Sequence, residues 1–172
     1  MTKPSIAVIN VVTPEGPKDY VALTSPDVAF SAGLIPEAIL GVLKRPLDPD
    51  EAIAPDNFIG NSVFSKFLQH VIAKYGPEDP DLQAEAVRIG KGSVVLVDQR
   101  TPTPEGPVPP EDIVGVFEIE DAKVGPGGYF ASPKHQLLTK NGFFRLDAWL
   151  EDCLQRELTA LATAPKPERG AG

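Results

Sequence analysis

The sequence predicts an α+β fold: a small, mostly antiparallel or mixed sheet covered by two longer amphipathic helices, with shorter helical pieces between them. Three observations carry this. β-Branched runs flank a repeated Pro-Gly turn segment, two stretches space apolar residues at helical intervals, and an Asn-Gly pair separates two apolar runs.

The five residues Thr-Pro-Glu-Gly-Pro occur at 13–17 and again at 103–107. Proline fixes φ and glycine reaches conformations that other residues adopt only at a cost, so each copy predicts a turn. The first copy joins strands over 6–12 and 20–23, the second strands over 94–97 and 113–117. Likeness stops at the motif, which indicates similar turns rather than duplicated halves. The continuous apolar run 94–97 predicts a strand covered on both faces, and the mixed pattern of 113–119 predicts one nearer an edge. Between them, Pro102, Pro104, Pro107, Pro109 and Pro110 predict a surface loop, partly in polyproline II conformation.

Pro36 and the spacing of Ile35, Ile39, Leu40 and Leu43 predict a short helix, complemented by Lys44 and Arg45 and stopped by Pro46. Asp48, Pro49 and Glu51 resemble a capping box, which predicts a helical turn to Ala54. Val63, Phe64, Phe67, Leu68, Val71, Ile72 and Tyr75 form one helical stripe ended by Gly76-Pro77. Asp79-Pro80 starts a shorter helix that terminates near Gly90. After a glycine-rich loop at 125–128, Asn141-Gly142 marks a hairpin. Asp147 then caps a last helix whose stripe is Leu146, Trp149, Leu150, Cys153, Leu154, Leu158 and Leu161. Residues 1–164 read as a single domain and 165–172, with almost nothing to bury, as a disordered tail.

The net charge is −8, which disfavours nonspecific binding to nucleic acid or to an anionic membrane. Nineteen prolines are about twice the usual share, so ordered, proline-stiffened loops are expected. Cys153 is the one cysteine, excluding an intramolecular disulfide and a thiolate zinc site. No apolar run approaches the ~20 residues that span a bilayer and no leader pattern is seen, so a cytoplasmic location is expected.

Reactive residues are sparse. His70 falls within a helix but off its stripe, and reads as a partly solvated helix residue. His135 follows Pro133-Lys134 in a loop, where sites are commoner. Asp98-Gln99-Arg100 emerges where an apolar strand ends, a place that often borders a ligand crevice; the structural alternative is an ion pair fastening the proline loop. The 125–128 glycines could offer backbone N–H groups to an anion beside Lys134, His135 or Arg145, but lack phosphate-loop context. Ser62, Ser65 and Ser132 have no nucleophile-elbow setting, and Cys153, Phe64, Phe67 and Trp149 read as core.

The sequence therefore predicts a noncatalytic protein-binding or assembly domain without metal or cofactor. Its contacts are expected on the proline loop, at Pro104, Glu105, Pro107 and Pro109, and at the Asn141 hairpin. The alternative is a small enzyme or ligand-binding domain using a crevice near Asp98, Arg100 and His135. A self-associating structural subunit, in which one helix stripe completes its burial only across an interface, is a third possibility.

Overall fold

The computed structural model describes residues 6–23, 35–101 and 106–163. The α+β class is observed, with every strand pairing antiparallel among the described residues. The strands divide among three sheets. Strands β1 (Ile6–Thr13), β2 (Gly16–Leu23), β3 (Ile39–Leu43) and β4 (Phe58–Gly60) form a four-stranded sheet in that order. Strands β5 (Gly92–Val97), β6 (Ile113–Glu120) and β7 (Lys123–Ala131) form a second, and β8 (Leu138–Thr139) with β9 (Gly142–Phe143) a two-stranded ribbon. The helices are α1 (Ser62–Tyr75), α2 (Pro80–Ile89) and α3 (Ala148–Thr163).

The first Thr-Pro-Glu-Gly-Pro segment is a tight hairpin turn in which Thr13 pairs with Gly16. The Thr13 hydroxyl donates to the Gly16 carbonyl at 2.7 Å and accepts from the Glu15 N–H at 3.2 Å. Gly16 takes φ +112°, a value costly for any residue with a Cβ. In the second copy, Gly106 is also at positive φ, but Val97 pairs with Ile113 across a long connection. Residues 102–105 lie outside those described, as does the expected tail.

Four local expectations are corrected. Residues 36–45 are not a helix: Pro36–Ala38 is one 3-10 turn and Ile39–Leu43 is strand β3. A five-residue apolar run fits helical and strand periods alike, and pairing with β2 and β4 decides it. A Cβ at Gly41 would stand 2.2 Å from the Ile59 carbonyl oxygen, so only glycine admits that approach between strands. The 48–54 segment keeps half its capping box, with the Asp48 N–H donating to Glu51 at 2.8 Å, but Asp50 turns to φ +64° and no helix follows. In the second sheet the order is reversed from expectation: β6 is central, and β5 is an edge with Val95 48% exposed. Lastly, the 125–128 glycines lie inside β7, beside a register shift opposite residues 117–119, rather than in a loop.

One contiguous core draws on both larger sheets and all three helices, with Phe64, Leu68, Val71, Ile72, Phe117, Leu150 and Leu154 almost fully buried. The Asn61 side chain accepts from the Val63 N–H and donates to the Ile39 carbonyl at 2.9 Å, so the cap of α1 also fixes the start of β3. Helix α1 meets α3 through the Trp149 indole N–H, which donates to the Tyr75 carbonyl at 3.0 Å, and through the Tyr75 hydroxyl bonded to Glu157. Cys153 is a buried free thiol whose ionisation burial pushes upward, consistent with a small core residue. No helix among the described residues is long and apolar enough to cross a membrane.

Candidate functional site

Pairing β5 with β6 brings both ends of the proline loop together, and Asp98 and Asp112 meet where the strands stop. The Asp98 N–H donates to the Asp112 carbonyl at 2.7 Å, and the Gln99 N–H donates to the Arg145 carbonyl at 2.9 Å. Asp98 Oδ1 accepts from the backbone N–H groups of Arg145 (2.8 Å) and Arg100 (3.1 Å), while Oδ2 lies 2.9 Å from His135 Nε2. Arg100 donates through Nε to Asp112 Oδ1 at 2.8 Å, through Nη2 to the Glu111 carbonyl at 2.7 Å, and through Nη1 to the Gly142 carbonyl at 3.4 Å. Its Nε also stands 3.8 Å from Asp98. The Thr101 hydroxyl donates to Asp112 Oδ2 at 2.7 Å and accepts from the Asn141 side-chain amide at 3.0 Å.

Asp98, Arg100 and His135 thus converge, but in the interior: the side chains of Asp98 and Arg100 are 0% exposed and that of His135 is 4% exposed. Removing two charges from water costs several kcal/mol per ion, which only close opposite charges and full hydrogen bonding offset. Burial pushes the Asp112 carboxyl up, yet the hydrogen bonds from Arg100 and Thr101 outweigh it and hold the group below its ordinary value. The chemistry available to Arg100 and to both Asp98 oxygens is spent on protein partners. What the cluster accomplishes is mechanical: it fastens the proline loop, the β8–β9 ribbon and the Arg145 segment to the end of β5.

His135 alone reaches beyond the cluster. A carboxylate only accepts, so Nε2 carries the hydrogen toward Asp98 and, in a neutral ring, Nδ1 keeps its lone pair. Nδ1 has no protein partner among the described residues. His135, its side chain 4% exposed, borders an open hollow of about 470 Å³ together with Ser62, Ser65, Phe58, Gln136 and Leu137. Neither serine is hydrogen-bonded to the ring. His70 is exposed on α1, and Ser132 accepts from the Lys134 N–H. Asn141 is exposed, though its amide is tied to Thr101; Pro107 is exposed, Pro109 half-buried, and Pro104 and Glu105 lie outside the described residues. Among the described residues no three His, Cys, Asp or Glu side chains are grouped to hold a metal ion.

Sequence reasoning missed the partners that complete the cluster, Asp112 and Thr101. The usable signal was topological: if 94–97 pairs with 113–117, the residues just outside the pair must face one another. It also missed a second carboxylate contact. Asp79 caps α2 by accepting from the Asp81 N–H at 3.0 Å, and Asp147 caps α3 by accepting from the Leu150 N–H at 2.8 Å. Burial, and then the hydrogen bond with Asp147, push the Asp79 carboxyl up to about 6.

The outer edge of β1 is the other distinctive feature. Among the described residues this strand pairs only with β2, and none of its residues is buried. Val12 is 82% exposed, Val8 42% and Ile6 38%. Edge strands are usually blunted by charge, proline, bulges or brevity. β4 is three residues long, and β7 carries Lys123, Pro126 and a register shift. The eight residues of β1 contain no charge and no proline, and their register with β2 is unbroken. Comparison of the chain with protein-family models, curated proteins and solved structures finds no match.

Proposed function

We propose that this chain is a noncatalytic protein-binding or assembly domain that receives a partner strand along the free edge of β1. The observation supporting this is the eight-residue, uncharged, unburied edge itself, which offers backbone donors and acceptors to an added strand and apolar side chains on both faces. The self-contained cluster around Asp98 fits the same reading, because its charges serve folding and not a ligand. The proline loop at Pro104, Glu105, Pro107 and Pro109 and the hairpin at Asn141 are a second, weaker contact region, stiffened by proline and by the Asn141–Thr101 bond. The net charge of −8 supports a protein partner over nucleic acid, and a single cysteine is compatible with the cytoplasmic setting proposed. The test is partner capture by wild type and Val12→Lys: loss of the partner with Val12→Lys supports the edge, and equal capture contradicts it.

A second reading rests on His135, whose ring is bonded to Asp98 and which borders the same hollow as Ser62 and Ser65. A small enzyme or ligand site built there would use Nδ1 as the acceptor for a hydroxyl or N–H proton. Hydrolysis of p-nitrophenyl acetate tests it. Activity abolished by both His135→Gln and Ser65→Ala supports this reading, and a background shared by all three proteins contradicts it.

A further inference from the structure

We propose that the strand received by β1 is β1 of a second copy of this chain, paired antiparallel about a two-fold axis through Asn10. The proposal rests on the edge-binding reading above and names its partner. A two-fold axis normal to the sheet places residues i and j opposite one another when their numbers sum to a constant, and faces are preserved only when that sum is even. Centred on Asn10, Val8 faces Val12, Ile9 faces Val11, Ala7 faces Thr13, and Asn10 faces its own copy. Centred instead on Ile9, Asn10 would oppose Val8 and leave a carboxamide against an aliphatic side chain. Of the registers that pair most of the strand, only the one centred on Asn10 keeps the carboxamide off an aliphatic partner and brings two carboxamides together, where one can donate to the other; Ala7 opposite Thr13 is its one mixed pair.

Electrostatics allows this occupant at β1. Each copy carries −8, which opposes association of two copies in general, and the opposition is least along a strand without charge, as β1 is. The nearest carboxylate, Asp19, pairs with Asn10 from the β2 side and is held by the Asn10 amide at 2.8 Å. In the dimer the two Asp19 residues stand three strand spacings apart, roughly 14 Å, beyond the ~8 Å over which salt screens exposed charges. The pairing also lays the turn end of each β1 beside the Ile6 end of the other. Val12, the most exposed large aliphatic among the described residues, gains Val8 of the second copy as a neighbour. The product is one eight-stranded antiparallel sheet, β4-β3-β2-β1 continued by its two-fold image.

Sedimentation equilibrium over a wide concentration range, with Val8→Lys and Val12→Lys beside wild type, tests this. Both side chains are already exposed, so folding survives the changes. The expected result is a mass rising with concentration from 18.4 kDa toward twice that value, with association weakened at least about tenfold by either lysine. Nitroxides placed at Asn10 in a Cys153→Ala background should lie closer across the dimer than nitroxides at Thr13, which the register separates by roughly 20 Å. A dimer indifferent to both lysines, or one with Thr13 labels nearer than Asn10 labels, overturns the proposal. A chain monomeric at every concentration also overturns it. In that case hydrogen exchange with an eight-residue Val-Thr repeat peptide separates the two levels: protection of β1 amides keeps the edge reading alone, and no protection rejects both.

Discussion

Two regions of this molecule handle polar and apolar groups in opposite ways. At the end of β5, Asp98 and Arg100 are wholly buried and bonded on every side, while along β1 three large aliphatic side chains stand in water beside an unpaired backbone edge. An enzyme places its charges where a substrate reaches them; here they are sealed inside and matched to one another. Along β1 an uncharged row of side chains is presented outward beside backbone groups that no described strand pairs. On the reading proposed above, the buried charges serve architecture and the β1 edge serves contact.

The largest expected effect comes from opening the sealed region. Asp98→Ala leaves the backbone N–H groups of Arg100 and Arg145 and the His135 Nε2 hydrogen without their acceptor, while the Arg100 guanidinium keeps Asp112, and should destabilise the fold by about 3–5 kcal/mol in urea denaturation. A loss below about 1 kcal/mol would show that the cluster does not fasten the loop.

Next is a pH effect away from both regions. Asp79 titrates at about 6 in the folded protein, above the ordinary carboxylate value of 3.8, so the folded state binds its proton more tightly than the unfolded state does. Its stabilisation is present below about pH 4 and is lost as pH rises through 6. The loss is on the order of 1–3 kcal/mol, and Asp79→Asn should flatten that part of the stability profile. An unchanged slope would mean that the Asp79–Asp147 contact does not share a proton.

Gly16→Ala forces a Cβ into φ +112° at the tip of the β1–β2 hairpin and should cost about 1 kcal/mol, read from the same denaturation curves. The smallest stability change is expected at β1 itself. Val12→Lys should shift folding by no more than about 0.5 kcal/mol while association falls sharply. That outcome would sharpen the contrast, with stability residing in one region and, as proposed, association in the other.

Much of this fold was legible where two kinds of signal coincide. The α1 stripe ends at Gly76, α2 starts at Asp79-Pro80, and the Asn141-Gly142 hairpin forms with Gly142 at φ +103°. Single signals misled. Ile39–Leu43 satisfies a helical stripe over a length too short to tell it from a strand, and sheet pairing overrides it. The β6–β7 turn uses Asp121 and Ala122 at positive φ, where no glycine announces a hairpin. At the candidate site, Asp98, Arg100 and His135 were readable as residues of interest, but their burial depends on Asp112, Thr101 and Arg145 arriving from distant segments. The apolar, β-branched run of β1 is visible in the sequence; its position at the end of the sheet is a property of strand order.

Amide hydrogen exchange resolved by residue, at two protein concentrations a hundredfold apart, tests the contrast most directly. Protection of the β1 amides that rises with concentration, with Asp98 and Arg100 amides equally protected throughout, is the expected result. β1 amides that exchange at the same rate at both concentrations would contradict it.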